Sequence, residues 1–284
     1  MIAAAAIAAA FQDSCRDEIE APKPGNVHTY APGHGMVAEE FLLSARVAAA
    51  PLAESGARVG ARILGAVEAT FTAVGKNTNL GILLLCGPLA AAADMAGSNL
   101  HENLGAVLQG LDRDDTQNVF AAIQRARPAG LGSASRHDVH GPVDADLREV
   151  MAEAAPRDRI ALQYVSTFHD IFVTGLAALQ DARAKRLAPP WTTLYVYLTF
   201  LAAFPDTHIA RKCGSAAAFE VRCKGQEMLV AFTRRRAGYL DDLLTLDAEF
   251  KARNLNPGTS ADLTVATLFA DRLRSILLQH RNDG

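Results

Sequence analysis

Alanine sets the first constraint on this chain. Runs such as Ala3–Ala6, Ala8–Ala10, Ala48–Ala50 and Ala90–Ala93 lie inside segments otherwise built from Ile, Leu, Val and Phe. Alanine loses no side-chain entropy on entering a helix and is the best helix former, whereas sheets favour β-branched and aromatic residues. Half of the 284 residues are hydrophobic but only 6% are aromatic, which excludes a disordered chain and argues against a sandwich or barrel. The predicted fold class is all-α, a multi-helix bundle. No shift of composition marks a linker and no fixed period repeats, so residues 1–284 are read as a single domain.

Charge and cysteine narrow the setting. The formal net charge is -3, so no global field calls for nucleic acid or an anionic membrane. Cys15, Cys86, Cys213 and Cys223 are far apart with no C-x-x-C pair and read as reduced thiols, with Cys86 in an apolar core run. The apolar start, Met1 to Ala10, lacks a basic flank and runs into Asp13, Arg16, Asp17 and Glu18, so it reads as a first helix rather than a secretory signal. The expected location is the cytoplasm.

Helices are expected over about 2–20, 38–49, 54–74, 80–96, 114–126, 144–154, 158–186, 191–204, 214–224, 226–251 and 260–281. Residues 127–143, rich in Gly, Pro, Ser and His, form the one long loop, of a kind that is often functional.

Four polar stretches interrupt the apolar helices. In the first, Glu20 to His28, Pro24-Gly25 suits a tight turn that would fix Lys23 and Asn26, although a plain corner with a solvated lysine explains it as well. In the second, a helix ends at Gly75 and Thr78 or Asn79 caps the next. Free backbone N–H groups there can bind phosphate, Lys76 adds charge, and Asn77, Thr78 and Asn79 add directional hydrogen bonds; a helix–turn–helix with a good cap is the simpler alternative.

In the third, Asp206 or Thr207 caps a short helix that carries His208, Arg211 and Lys212 on one face, at i, i+3 and i+4. Three such groups repel one another unless an anion joins them, so the face is read as gripping phosphates with Asp206 free for a metal ion. In the fourth, Asn256 to Gly258 is a turn, Thr259 or Ser260 opens the last helix, and Asp262 lies in its first turn. Capping explains this stretch alone, whereas a second acid near Asp206 would make a divalent-metal pocket.

Weaker signals are His169-Asp170 as a metal dyad, and Arg136, His137, Asp138 and His140, read as a substrate or solvated loop rather than zinc ligands. Asp241-Asp242 and Arg234-Arg235-Arg236 read as solvated helix faces. G-x-S-x-G, H-E-x-x-H and G-x-G-x-x-G are all missing, which leaves the common hydrolase, zincin and Rossmann readings unsupported.

Taken together, KPGNV at 23–27, NTNLG at 77–81, PDTHIARKCG at 205–214 and LNPGTSADLTVATLF at 255–269 resemble the triphosphoribosyl-dephospho-CoA synthase family in order and spacing, over nearly the whole chain. The resemblance implies an all-helical enzyme that uses ATP as a substrate. ATP would give its triphosphoribosyl group to a hydroxyl of dephospho-CoA, with loss of adenine.

Such a substitution at an anomeric carbon needs a base for the hydroxyl and neutralisation of the triphosphate. The resemblance then implies that Asp206 and Asp262 hold Mg²⁺ and that Lys23, Lys76, Arg211 and Lys212 supply charge. Asn77, Thr78, Asn79, Asn256 and Ser260 would position ribose or phosphate, with Glu20 or Glu68 as the base. The partners expected are small-molecule nucleotides, with no nucleic acid and no membrane; a homo-oligomer stays open.

One departure bears on the acceptor. Members tied to CoA chemistry tend to carry T-H-K-G where this chain has Thr78-Asn79-Leu80-Gly81. The chain looks more like a shorter branch from archaea and one-carbon-metabolising bacteria. That likeness implies an alternative: transfer of a phosphoribosyl or phosphate group while a methanopterin- or methanofuran-type carrier is made. A non-catalytic scaffold of a biosynthetic complex is the reading from another class.

Overall fold

The computed structural model describes residues 2–97, 99–234 and 238–282, with the side chains of 280–282 left aside. Among these residues there is no strand. Fourteen α-helices follow one another: α1 Ala4–Ile19, α2 Ala38–Leu52, α3 Val59–Val74, α4 Leu80–Asp94, α5 Leu100–Gln109, α6 Arg113–Ala126, α7 Leu147–Ala154, α8 Arg159–Val165, α9 Leu176–Ala184, α10 Pro189–Ala203, α11 Thr207–Cys213, α12 Ser215–Thr233, α13 Tyr239–Ala252 and α14 Gly258–Asn282. A π-helical turn, Asp170–Gly175, precedes α9. The all-α fold class is as the alanine content implies.

Two helices make the centre. α4 is buried around nearly its whole circumference and packs on α3, α5 and α14. Pro88 lies inside it and has no N–H for the Leu84 carbonyl one turn earlier. The Tyr164 hydroxyl donates to that carbonyl at 2.6 Å, so the orphaned acceptor is satisfied and α8 is tied to α4. α14 runs against α1, α4 and α10, and its first turn carries the last of the four polar stretches.

Some boundaries differ from expectation for identifiable reasons. The span 158–186 is not one helix: Thr167 and Phe168 take positive φ, and Asp170 accepts from Arg159 at 2.6 and 2.8 Å and from Gln163 at 2.6 Å. Those bonds also occupy Asp170, the acid of the suspected His169-Asp170 dyad. Gly225 does not break α12; a Cβ there would stand 3.0 Å from the Leu201 backbone, so glycine lets α12 approach α10. Helix α5 was not expected at all, though Asn99 caps it and Leu100, Leu104 and Leu108 are buried one turn apart. Of the expected arginine face at 234–236, Arg235 and Arg236 lie outside the described residues. No described helix is long and apolar enough to cross a membrane.

Candidate active site

The four polar turns converge, and hydrogen bonds between them hold the arrangement. Asn26 of the first donates through Nδ2 to Asn256 Oδ1 of the fourth at 2.9 Å. Asp206 of the third accepts from the backbone N–H and the hydroxyl of Ser260, both at 2.8 Å, through Oδ2. Its Oδ1 caps α11, accepting from His208 N at 2.9 Å and Ile209 N at 3.2 Å. In the second turn the cap differs from expectation. Asn77, not Thr78 or Asn79, accepts from the Leu80 N–H at 3.2 Å, while Asn79 donates to Thr70 at 3.1 Å and Thr78 pairs with Ser44 at 2.6 Å.

Between these turns lies a cavity of about 360 Å³. Nine of the residues singled out in the sequence line it: Asn26, Asn77, Thr78, Asn79, His208, Arg211, Lys212, Asn256 and Asp262. The others lie elsewhere. Glu20 and Glu68 are exposed and outside the cavity: Glu20 is the C-cap residue of α1 and Glu68 lies on an exposed face of α3. Lys76 points outward to Glu40 at 2.6 Å and the Gly35 carbonyl.

Lys23 is wholly buried beneath the turn, 2.8 Å from Glu18 Oε1, and donates to the Val27 carbonyl at 2.8 Å. Asp206 and Ser260 are buried against each other, and four hydrogen bonds already occupy both oxygens of Asp206. That occupation, not distance from the turns, takes Asp206 out of the expected metal pair.

Sequence reasoning missed Glu18, Arg127 and Asp158, all of which line the cavity. Glu18 carried a signal: Ile7, Phe11, Ser14 and Glu18 follow one face of α1, and all four are buried, so an acid interrupts an apolar stripe. Asp158 caps α8 through Oδ1 and lies 3.3 Å from Arg211 through Oδ2.

The electrostatics are set by burial. Burial pushes the Asp262 carboxyl well above the usual range, and the carboxylates of Asp206, Glu18 and Asp158 add to the shift. Burial also raises Glu18, against the pull of Lys23, and lowers Lys23. His208 is pushed down to about 3 by burial and by Arg211 and Lys212, so it is neutral near pH 7. The expected triad of positive groups on α11 is therefore a pair, and Arg127 supplies a third cation from the long loop.

Among the described residues no group of three His, Cys, Asp or Glu side chains is arranged to hold a metal by itself. Mg²⁺ commonly takes one or two carboxylates and completes its shell with phosphate and water. Glu18 and Asp262 fit that donor set; Asp206 does not. Asp262 has no hydrogen-bond or ion-pair partner among the described residues, and its oxygen rests where a Cβ on Gly81 would be.

The helices thus bring cations, amides and an acid around one cavity. Residues 4–280 match the CitG family, ATP:dephospho-CoA triphosphoribosyl transferase. The chain belongs to that family. It is 28% identical over 222 residues to a probable 2-(5''-triphosphoribosyl)-3'-dephosphocoenzyme-A synthase of Pectobacterium carotovorum, covering 76% of this chain and 66% of that one.

The corresponding synthase of Pectobacterium atrosepticum is 27% identical over 225 residues, covering 78% and 67%. That of Klebsiella pneumoniae is 32% identical over 111 residues, covering 37% and 38%. The alignments thus take in about two thirds or less of each relative. A triphosphoribosyl-dephospho-CoA synthase-like protein of Archaeoglobus fulgidus shares the fold with a TM-score of 0.62 at 22% identity, covering 81% of this chain and 97% of that one.

Proposed function

We propose that this chain transfers the triphosphoribosyl group of ATP to a hydroxyl of dephospho-CoA or a related acceptor and releases adenine. The observation that carries the reading is the convergence of the motif residues Asn26, Asn77–Asn79, Arg211, Lys212, Asn256 and Asp262 on one cavity. In the reaction the bond from the ribose anomeric carbon to adenine breaks and a bond to the acceptor oxygen forms. Positive charge grows on the ribose, so fixed negative groups close to it lower the barrier.

Asp262 takes the proton of the attacking hydroxyl. A raised carboxyl is a stronger base when ionised, and among the described residues no hydrogen bond or ion pair competes for its oxygens. Arg211, Lys212 and Arg127 face the triphosphate. The first turn of α4 offers backbone N–H groups to it, and Asn77, Thr78, Asn79 and Asn256 orient ribose and phosphate. Mg²⁺, when bound, would neutralise phosphate charge, with Glu18 as its carboxylate and Asp262 beside it. Lys23 holds Glu18, while Asp206 and Ser260 lock α11 onto α14; these are positioning residues. The reduced state of four free cysteines suits the cytoplasm.

The test is incubation with ATP, Mg²⁺ and dephospho-CoA, followed by mass spectrometry for adenine and the triphosphoribosylated product. Both products are expected. Adenine no higher than in a control without enzyme overturns the reading. ADP or pyrophosphate release without adenine points instead to phosphate or phosphoribosyl transfer onto a one-carbon carrier precursor.

A further inference from the structure

Beside the candidate active site lies a second cavity, of about 1180 Å³, that the reaction as described does not use. The two are contiguous: Leu84, Ile123, Leu131, Asp158, Ile160 and Arg211 line both. The long loop forms part of the partition, and it is fastened there by Arg211, whose Nε donates to the Ala129 carbonyl at 3.2 Å. A group leaving the first cavity past Leu131 and Arg211 therefore enters the second.

Its walls have a different chemistry. Phe120, Val150, Met151, Leu162, Phe204 and Phe219 supply an apolar surface from four helices and the link before α11. The charged side chains that line it are mostly matched already. Arg136 lies 3.8 Å from Glu153, Arg159 2.6 Å from Asp170, Arg211 3.3 Å from Asp158 and His137 2.7 Å from Asp144. Asp138 accepts from the N–H groups of Ala134 at 2.6 Å and His140 at 2.9 Å. The exposed Arg157 donates to the Glu153 carbonyl at 3.0 Å. A polyanion here would compete with these partners, whereas an uncharged ligand meets the apolar wall without disturbing them. Meanwhile Leu131 and Phe219 stand 38% and 55% exposed at this cavity, apolar surface that a ligand would cover.

We propose that this second cavity binds the uncharged arm of the acceptor, its methyl and methylene groups against the apolar wall, while the acceptor's reacting hydroxyl lies in the first. The proposal rests on the transferase reading above; for dephospho-CoA the arm in question is its pantetheine.

The experiment uses N-phenyl-1-naphthylamine, an uncharged dye that brightens in apolar surroundings, on the full chain. The dye is expected to bind, to be displaced by pantetheine, and to be left in place by ATP. Phe219→Lys, at an exposed position, is expected to weaken dye and pantetheine about tenfold and to leave ATP affinity within about twofold, with Phe219→Leu behaving as the parent. Failure of pantetheine to displace the dye, displacement of the dye by ATP, or dye binding unmoved by Phe219→Lys overturns the proposal. The adenine assay separates the two readings. Adenine absent with the full dye pattern sinks the transfer reaction and keeps the pantetheine cavity. Adenine formed from dephospho-CoA with an unchanged KM in Phe219→Lys sinks the cavity assignment and keeps the reaction.

Discussion

The Asp262 carboxylate rests directly on the backbone of Gly81: a Cβ built on Gly81 would overlap Asp262 Oδ2 and stand 2.6 Å from its Cγ. The contact joins the first turn of α14 to the first turn of α4, so the proposed base and the proposed phosphate-binding amides are placed by one another. Gly81→Ala gains helix propensity, worth roughly 1 kcal/mol, but must push the carboxylate aside. A displacement of about 1 Å at a reacting group costs on the order of a hundredfold in rate. The expected outcome is a kcat/KM lowered about a hundredfold with a melting temperature close to that of the parent, from steady-state kinetics and circular dichroism. A Gly81→Ala enzyme of full activity would show that Asp262 is not placed by this contact.

Asp206 and Asp262 are predicted to part company on mutation. Asp206→Asn turns one of two buried acceptor oxygens, each serving two donors, into an N–H donor, so a loss of roughly 3 kcal/mol in unfolding free energy is expected. Asp262 has the opposite balance. Its folded-state pKa is raised, so the folded chain holds a proton that the unfolded chain has lost. Its contribution to stability is therefore present below the unfolded value of about 3.9 and declines as pH rises through the folded value. Asp262→Asn should remove activity, and its melting temperature relative to the parent should rise with pH above about 4. A flat difference from acid to neutral pH would contradict the raised carboxyl.

How far the sequence reached depends on what each residue touches. The helices were legible because alanine-rich segments carry the fold class locally, and the four turns because Gly, Pro and Asn mark breaks whatever surrounds them. Asp206 and Lys23 were visible as chemistry-bearing residues, yet their use is decided by partners distant in sequence, Ser260 for the one and a buried Glu18 for the other. Thr167 and Phe168, with positive φ, carry no glycine to announce the break before the π-helical turn. Arg127 reaches the cavity only because its loop folds back over α11 onto Arg211.

The choice among glutamates gives a third prediction. Glu20 and Glu68 are exposed and outside the cavity, whereas Glu18 lines it. Glu20→Gln and Glu68→Gln should keep kcat within about twofold, because exposed substitutions away from a site change little. Glu18→Gln should raise the Mg²⁺ concentration needed for half-maximal rate about tenfold or more, the expected effect of losing a charged ligand. Titration of MgCl₂ at fixed ATP in the three variants checks this. A large loss in Glu20→Gln or Glu68→Gln, with Glu18→Gln unaffected, would return the role to the surface acids.

Lys23 and Glu18 give the fourth. Both are essentially inaccessible, 2.8 Å apart, and the ammonium also holds the Val27 carbonyl at 2.8 Å. Lys23→Met leaves Glu18 buried without its counter-charge, a situation that costs about 3–5 kcal/mol when one partner of a buried pair is removed. Burial raises the pKa of Glu18 even with Lys23 present, so without it the carboxyl takes up a proton and part of that cost is avoided at low pH. The single variant should therefore be strongly destabilised at pH 8 and less so at pH 5. Lys23→Met with Glu18→Gln should recover stability at pH 8 without recovering the Mg²⁺ response. Chemical denaturation at the two pH values reads the first effect, and the double variant tells whether the lysine acts through Glu18 or through the turn it supports. If the double variant is no more stable than Lys23→Met, the bond to Val27 is the one that matters, and Glu18 does not depend on Lys23 for its place in the cavity.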